Sequence, residues 1–177
     1  MKSSFGKTQP SRNVFSISKD YADLIMEIEL PQDFKELFKS LNANNVRYLM
    51  IGGYAVGVYG YPRTTNDIDI FVSDDRENVG NLVKALQNFG FGGFDLSNIF
   101  AEKRSLVEIG VEPLKVQLMN FADGIEFEEV FESRKIIAVE DILINTLSKS
   151  DLIKNKLKSG RYKDLADVER LNRIEDL

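Results

Sequence analysis

The stretch that decides the fold prediction is Tyr48-Leu-Met-Ile51 with Gly52-Gly53 directly after it, followed further along by Asp67-Ile-Asp-Ile70. The first run is apolar and has the length of a short buried strand, and the glycine pair then turns the chain into a helical segment that ends near Gly60. The second run alternates, and successive side chains of a strand point to opposite faces. We therefore expect its two isoleucines to be buried and its two aspartates to share the other face.

Size and composition limit the classes of protein to which the chain can belong. Its 177 residues suit one domain with a small helical appendage, and 43% apolar residues are typical of a globular protein. The lack of cysteine and histidine excludes disulfide frameworks, thiolate and imidazole catalysis, and histidine-ligated zinc. The apolar runs are too short for a membrane span and residues 1–12 are polar, so we expect a cytoplasmic protein without a membrane partner. The net charge of −5 argues against nucleic-acid binding through the whole surface.

Hydrophobic periodicity predicts an α+β (mixed α/β) architecture, with a mixed sheet flanked by helices. The chain divides into a partly flexible N-terminal extension (1–30), a core (31–140) and a helical C-terminal segment packed on the core (141–177). Strands are expected over 46–51, 67–73, 105–109, 114–119 and 135–139. Helices are expected over 21–30, 31–41, 53–60, 78–89, 126–131, 141–158 and 164–173.

Asp67 and Asp69 are the strongest candidates for chemistry. Alternate residues of a strand lie roughly 7 Å apart, at about 3.4 Å per residue, so both carboxylates can reach one Mg²⁺ or two ions can share Asp69. Magnesium prefers oxygen ligands and is usually held by one or two carboxylates together with substrate phosphates. The alternative is that the two aspartates form only the exposed polar face of an edge strand.

The glycine pair and the loop before the aspartates are candidates for phosphate binding. Gly52 and Gly53 allow close approach of a phosphate to backbone N–H groups at the start of a helix. Arg63, Thr64 and Thr65 could contact phosphate oxygens. The alternatives are an ordinary turn at the glycines and an ordinary surface loop.

Taken together, these features resemble a known superfamily. The segments that carry the resemblance are 46–56, 60–65, 67–70, 109–111, 123–124, 155–157, 160–161 and 163–168. The chain is similar, from about residue 34 to residue 171, to small bacterial nucleotidyltransferases of the DNA polymerase β-like superfamily, related to the toxins of abortive-infection systems. This resemblance implies a minimal palm-like mixed sheet, Mg²⁺, and transfer of a nucleoside monophosphate from a triphosphate to an acceptor.

The chain departs from the superfamily at one catalytic position. The resemblance implies a third carboxylate on a later strand, and the matching residue here is Gln117. Leu114, Val116 and Leu118 alternate away from it, so Gln117 is expected to face the aspartate pair. A glutamine takes no proton from an attacking hydroxyl, and general-base help is worth on the order of 100-fold to 10,000-fold. Glu108 and Glu112 are close in sequence, but nothing in the sequence brings either into the site.

A local basic cluster lies in the C-terminal part of the net acidic chain. Its members are Lys149, Lys154, Lys156, Lys158, Arg161 and Lys163. The resemblance makes Lys156, Arg161 and Lys163 the candidates for binding the triphosphate or a nucleic-acid acceptor such as a tRNA end. The alternative is a solvated helix face, and Asp164 and Asp167 are expected to cap and brace the last helix.

Three functional hypotheses follow from these residues. The first is a cytoplasmic Mg²⁺-dependent nucleotidyltransferase with Asp67, Asp69 and Gln117 at its catalytic centre. Whether such an enzyme belongs to a toxin-antitoxin pair stays open at this point. The second is a nucleotide-binding or regulatory protein of the same fold that is catalytically weakened at Gln117. The third is an antitoxin or other interaction protein. The acceptor stays open between a tRNA end, a protein hydroxyl, an antibiotic and another nucleotide.

Overall fold

A single mixed sheet organises the computed structural model, which describes residues 28–62, 64–111 and 113–173. In chain order its elements are α1 (Gln32–Ala43), β1 (Tyr48–Ile51), α2 (Gly52–Val58), β2 (Asp67–Val72), α3 (Arg76–Leu86), β3 (Leu106–Val111), β4 (Leu114–Met119), α4 (Phe127–Glu132), β5 (Lys135–Val139), β6 (Ile142–Thr146), α5 (Lys149–Ser159) and α6 (Tyr162–Arg173). A π-helical turn over Gln87–Phe91 extends α3.

The sheet has six strands in the order β3-β4-β2-β1-β6-β5. Strand β1 pairs antiparallel with β2 and parallel with β6, and β2 pairs parallel with β4. The two outer pairs, β3 with β4 and β5 with β6, are antiparallel. The central position of β1 and β2 brings the glycine pair and the aspartates into the middle of the sheet.

Both faces of the sheet are covered by apolar side chains. On one face, α1 buries residues at the three-and-four spacing of a helix, including Phe34, Leu37 and Leu41, beside α3. On the other face, Phe71 and side chains of α2, α4, α5 and α6 form a second cluster. Alternation along β1 supplies both clusters, because Met50 belongs to the first and Leu49 to the second. The predicted α+β architecture with a mixed sheet flanked by helices is confirmed.

One predicted element is wrong. The helix expected over 141–158 begins only at Lys149, and Ile142–Thr146 is strand β6 instead. Val139 pairs with Ile142, so the chain reverses through two residues, of which Glu140 has a φ of 55°. The sheet thus extends past residue 140, where the core was expected to end. The division into extension, core and C-terminal segment stays a prediction.

Two further points concern the limits of the described chain. The short helix expected over 21–30 lies almost wholly outside the described residues, and residues 28–30 are not helical. Within the described ranges, the helices are all too short or too polar to cross a membrane.

Candidate active site

The aspartate pair lies on β2 with the predicted alternation. Ile68 and Ile70 are fully buried in the first core, whereas Asp67 and Asp69 are partly exposed on the opposite face. The Oδ1 atom of Asp67 is buried and has no hydrogen-bond partner among the described residues. A buried carboxylate oxygen without a partner costs free energy, so this atom is suited to an additional ligand.

Gly52 lies directly against Asp69. It begins α2 with a φ of 68°, a conformation that residues with a Cβ rarely adopt. A Cβ added at residue 52 would be 1.8 Å from Oδ2 of Asp69. Glycine is therefore required here both by backbone conformation and by the approach of the carboxylate, and Gly53, which is buried, follows it on the wall of the same cleft.

The two aspartates of the site repel each other and are opposed by three nearby cations. Burial, and secondly the neighbouring Asp67 carboxylate, raise the pKa of Asp69 to about 6. Lys163, Lys156 and Arg161 oppose this rise through their positive charges. Two carboxylates that repel each other and a buried oxygen without a partner fit a divalent cation, which would relieve both. In the described part of the chain, however, no group of three or more acidic, histidine or cysteine side chains could hold a metal.

Gln117 lies beside the pair, as predicted. It is the register partner of Asp69 on β4, and residues that pair across neighbouring strands share a face. On its other side, Gln117 is the register partner of Glu108 on β3, and its Nε2 donates a hydrogen bond of 2.8 Å to Oε1 of that glutamate. The sequence could not reveal this contact, because it depends on the register of the β3–β4 hairpin. Glu112 lies outside the described residues.

Lys156 has a different environment from the one that phosphate binding requires. Its side chain is buried, and Nζ lies 3.0 Å from Oδ1 of Asp164 and 2.8 Å from Oδ2 of Asp167. Both carboxylates are also buried and come from α6. This triad joins α5 to α6, so Asp164 and Asp167 brace the last helix as expected. Nucleotide binding by Lys156 stays a prediction.

Arg161 and Lys163 are the exposed cations of the same wall. Arg161 donates through Nε to Oδ2 of Asp164 at 2.6 Å, but its side chain is 63% exposed. Lys163 is exposed and has no carboxylate within ion-pair distance among the described residues. Both side chains line the cleft that contains the aspartates, so this wall can offer positive charge to an anionic ligand.

A cleft of about 510 Å³ joins these groups. The predicted site residues that line it are Gly52, Gly53, Asp67, Asp69, Gln117, Lys156, Arg161 and Lys163. Thr65 also lines it and donates from Oγ1 to the backbone oxygen of Asp67 at 3.2 Å, whereas Thr64 is exposed outside the lining. Arg63 lies outside the described residues.

Three apolar side chains also line the cleft, which the sequence did not indicate. They belong to Leu106, Met119 and Phe121, and Leu106 stays half exposed. The guanidinium of Arg104 lies 4.1 Å from the centre of the Phe121 ring and donates to Asp123, which also lines the cleft. The lining thus combines carboxylates, exposed cations and apolar side chains.

Comparison with known proteins identifies the family. Residues 28–176 match the family model described as nucleotidyltransferase of unknown function (DUF6036). The chain belongs to this nucleotidyltransferase family. The resemblance to nucleotidyltransferases predicted from the sequence motifs is thereby confirmed, whereas the relation to abortive-infection toxins stays a prediction. No curated protein matches the chain.

Solved structures show that this member of the family shares its fold with distant proteins. A candidate nucleotidyltransferase from Thermotoga maritima, TM1012, aligns with a TM-score of 0.51 and 15% identity over 80% of this chain and 91% of its own. The lincosamide antibiotic adenylyltransferase LnuA, bound to lincomycin, gives 0.53 and 14% over 82% and 98%. The antibiotic-resistance factor ANT(2'')-Ia gives 0.53 and 11% over 80% and 81%. At these identities the likeness concerns the fold alone.

Proposed function

We propose that the protein transfers a nucleoside monophosphate from a nucleoside triphosphate to an acceptor hydroxyl, with a divalent cation, Mg²⁺, bound by Asp67 and Asp69. The observation that carries this proposal is the buried Oδ1 of Asp67, which lacks a partner among the described residues although it lies beside a second carboxylate in an open cleft. Such an oxygen is costly to maintain without a ligand. Membership of a nucleotidyltransferase family supports the same reaction.

In the proposed reaction, the bound cation and the residues of the cleft make different contributions. When bound, the cation supplies positive charge that polarises the α-phosphate and stabilises the leaving pyrophosphate. Asp67 and Asp69, on the side of β2 that lines the cleft, would hold it there. Because residue 52 is glycine, the Asp69 carboxylate can occupy the space that a side chain would fill and lie directly against the start of α2.

The triphosphate needs further positive charge, and the cleft wall offers it. We assign phosphate neutralisation to Lys163 and Arg161, which are exposed at the cleft, with Arg63 and Thr64 as further candidates. Lys156 would act indirectly, because its ammonium is held by two buried carboxylates. Its contribution is then the attachment of α5 to α6, which holds in place Arg161, directly before α6, and Lys163, in the first turn of α6.

Gln117 favours a second candidate function, a nucleotide-binding or regulatory protein with weak or no chemistry. The row formed by Asp69, Gln117 and Glu108 has an amide at its centre, where the superfamily signature implies a carboxylate. An amide offers an oxygen but accepts no proton at neutral pH. The two candidates differ in rate and not in ligand, so product formation separates them.

The acceptor molecule has to be identified by experiment, and the residues that line the cleft indicate its chemical type. The apolar lining residues Leu106, Met119 and Phe121 suit an acceptor with an apolar part beside a hydroxyl. LnuA and ANT(2'')-Ia are associated with antibiotics, and we include antibiotics among the candidates for this chain. The other candidate acceptors are a tRNA end, a protein hydroxyl and another nucleotide. These would suit a cytoplasmic enzyme that acts as the toxin of a toxin-antitoxin pair.

The experiment compares two positions of the radioactive label. Each of the four triphosphates, labelled at the α- or γ-phosphate, is incubated with the protein, Mg²⁺ and a cell lysate or a defined antibiotic panel. Transfer of α-label without γ-label to a new product, lost in Asp67→Asn, supports nucleotidyl transfer. Transfer of γ-label would indicate a kinase. Binding of triphosphate without product would support the second candidate function.

A further inference from the structure

The amide of Gln117 is hydrogen-bonded to Glu108 on the neighbouring strand β3. A glutamine amide has a donor end, Nε2, and an acceptor end, Oε1. Next to Asp69, electrostatics alone would turn the donor end toward the carboxylates. Instead Nε2 donates to Oε1 of Glu108 at 2.8 Å, on the opposite side from Asp69 in the strand register.

The glutamate is itself held in position from a second direction. Nζ of Lys115, on the same strand as Gln117, lies 3.1 Å from Oε1 of Glu108. The hydrogen bonds from Lys115 and Gln117 lower the pKa of the Glu108 carboxyl, so it stays ionised at neutral pH. A hydrogen bond to an ionised acceptor is about twice as strong as one between neutral groups. The ionised Glu108 is therefore a strong competitor for the amide donor.

We propose that Glu108 is a positioning residue that fixes the Gln117 amide with its oxygen toward the reacting centre beside Asp69. This inference rests on the proposed nucleotidyl transfer. The function of a third carboxylate is then divided between two strands: Gln117 on β4 supplies the oxygen, and Glu108 on β3 supplies the negative charge that orients and polarises the amide. The oxygen accepts a hydrogen bond from the acceptor hydroxyl and so directs its lone pair to the α-phosphorus, where the new P–O bond forms as the bond to the leaving pyrophosphate breaks. Neither residue takes the proton, which passes to solvent water in the open cleft.

Side-chain NMR of the full chain tests the orientation without any need for activity. The sequence has four glutamines, so the Nε2 resonance of Gln117 can be assigned by its loss in Gln117→Leu. We expect its protons to exchange with water several-fold more slowly than those of the exposed Gln87, and to lose this protection in Glu108→Ala. The matched control, Glu77→Ala on the surface of α3, should leave it unchanged. Unchanged protection in Glu108→Ala would overturn the proposal.

Steady-state kinetics with α-labelled triphosphate test the consequence for the reaction. Glu108→Gln keeps the size of the side chain and removes its charge, so kcat should fall by about tenfold while KM for the triphosphate stays constant. The exchange variant Glu108→Gln/Gln117→Glu places the carboxylate on β4 and the amide on β3, and should recover at least the wild-type kcat.

A purely structural contribution of Glu108 to the sheet edge would lower the melting temperature of both variants and leave the kcat of the folded protein unchanged. An unchanged kcat in Glu108→Gln, or an exchange variant as slow as Glu108→Gln, would overturn the proposal. If the wild type transfers no label, nucleotidyl transfer fails as a function, and the proton-exchange measurement still decides whether Glu108 orients Gln117.

Discussion

The carboxylate of Asp69 occupies the space in which a side chain of residue 52 would lie, with Oδ2 at 1.8 Å from the position of the missing Cβ. The start of α2 and the middle of β2 are thus in contact through a glycine and an aspartate. This contact allows Asp69 to lie directly against the start of α2, and it can be tested by mutation.

Gly52→Ala should destabilise the fold, because it adds a steric conflict to a backbone with a φ of 68°. We expect a loss of about 1 to 3 kcal/mol in unfolding free energy. The double variant Gly52→Ala/Asp69→Ala should be more stable than the sum of the two single changes, since it removes the conflict. Gly80→Ala on α3 is the control, because a Cβ there meets nothing within 4 Å and should be neutral or stabilising. Additive effects in the urea titrations would contradict the contact.

Mg²⁺ with a triphosphate should raise the melting temperature of the wild type and not that of Asp67→Asn/Asp69→Asn. The physical reason is relief of the repulsion between two carboxylates, one of which has a buried oxygen without a partner in the described chain. Asp95→Asn, a change in an exposed loop, should keep the wild-type response. Equal stabilisation of all three proteins would remove Asp67 and Asp69 as metal ligands.

The pH dependence of stability without metal should report on Asp69. Its pKa of about 6 in the folded protein lies above the ordinary aspartate value, so the folded state binds this proton more tightly than the unfolded chain. The resulting stability is present at pH values below about 4 and is lost as the pH rises through about 6. In EDTA, we measure the free energy of unfolding by urea titration at a series of pH values. Between pH about 4 and about 6 this free energy should fall in the wild type relative to Asp69→Asn, and above pH about 6 the difference between the two proteins should stay constant. Parallel curves throughout would show that Asp69 titrates normally.

Lys156→Met should destabilise the protein strongly, because it leaves two buried carboxylates without their shared cation. Breaking a buried ion pair from one side costs about 3 to 5 kcal/mol, and the pairing of Asp164 with Arg161 favours the lower end of that range. Lys154→Met, an exposed change on the same helix, should alter the unfolding free energy by less than about 0.5 kcal/mol. A loss of triphosphate affinity in Lys156→Met with unchanged stability would instead support direct phosphate binding.

Gln117→Asp should tighten Mg²⁺ binding and raise the transfer rate, by about 100-fold or more if the new carboxylate acts as a general base. The same change brings three carboxylates together across adjacent strands, since the new aspartate lies between Asp69 and Glu108. Without metal, repulsion should therefore lower the melting temperature in EDTA. A calorimetric Mg²⁺ titration identical to that of the wild type would show that residue 117 does not contribute to the metal site.

Local patterns account for what the sequence predicted well. Alternation along β2 and the three-and-four spacing in α1 are properties of single elements, and the glycine pair marks the junction of β1 with α2. Strand β6 was missed because the reversal before it uses Glu140 at a positive φ. Such turns usually show glycine or asparagine, so the sequence lacked the usual signal of a hairpin.

Contacts between elements account for what the sequence could not predict. The partnership of Gln117 with Glu108 depends on strand register, and the burial of Lys156 between Asp164 and Asp167 depends on how α5 packs against α6. A lysine with two aspartates nearby in sequence is equally compatible with a solvated helix face. Only the packed structure distinguishes a lysine that faces the cleft from one that is paired with carboxylates in the protein interior.

The two sides of the cleft are far apart in the order of synthesis. Its floor is complete once β4 has formed, whereas its cationic wall comes from α5 and α6, which are made last among the described elements. A nascent chain on the ribosome that has exposed only residues up to 147 lacks Leu152 and Leu171 of the second core as well as Arg161 and Lys163. The last two helices therefore bring the final cover of one face of the sheet and the positive charge of the cleft at the same stage of synthesis.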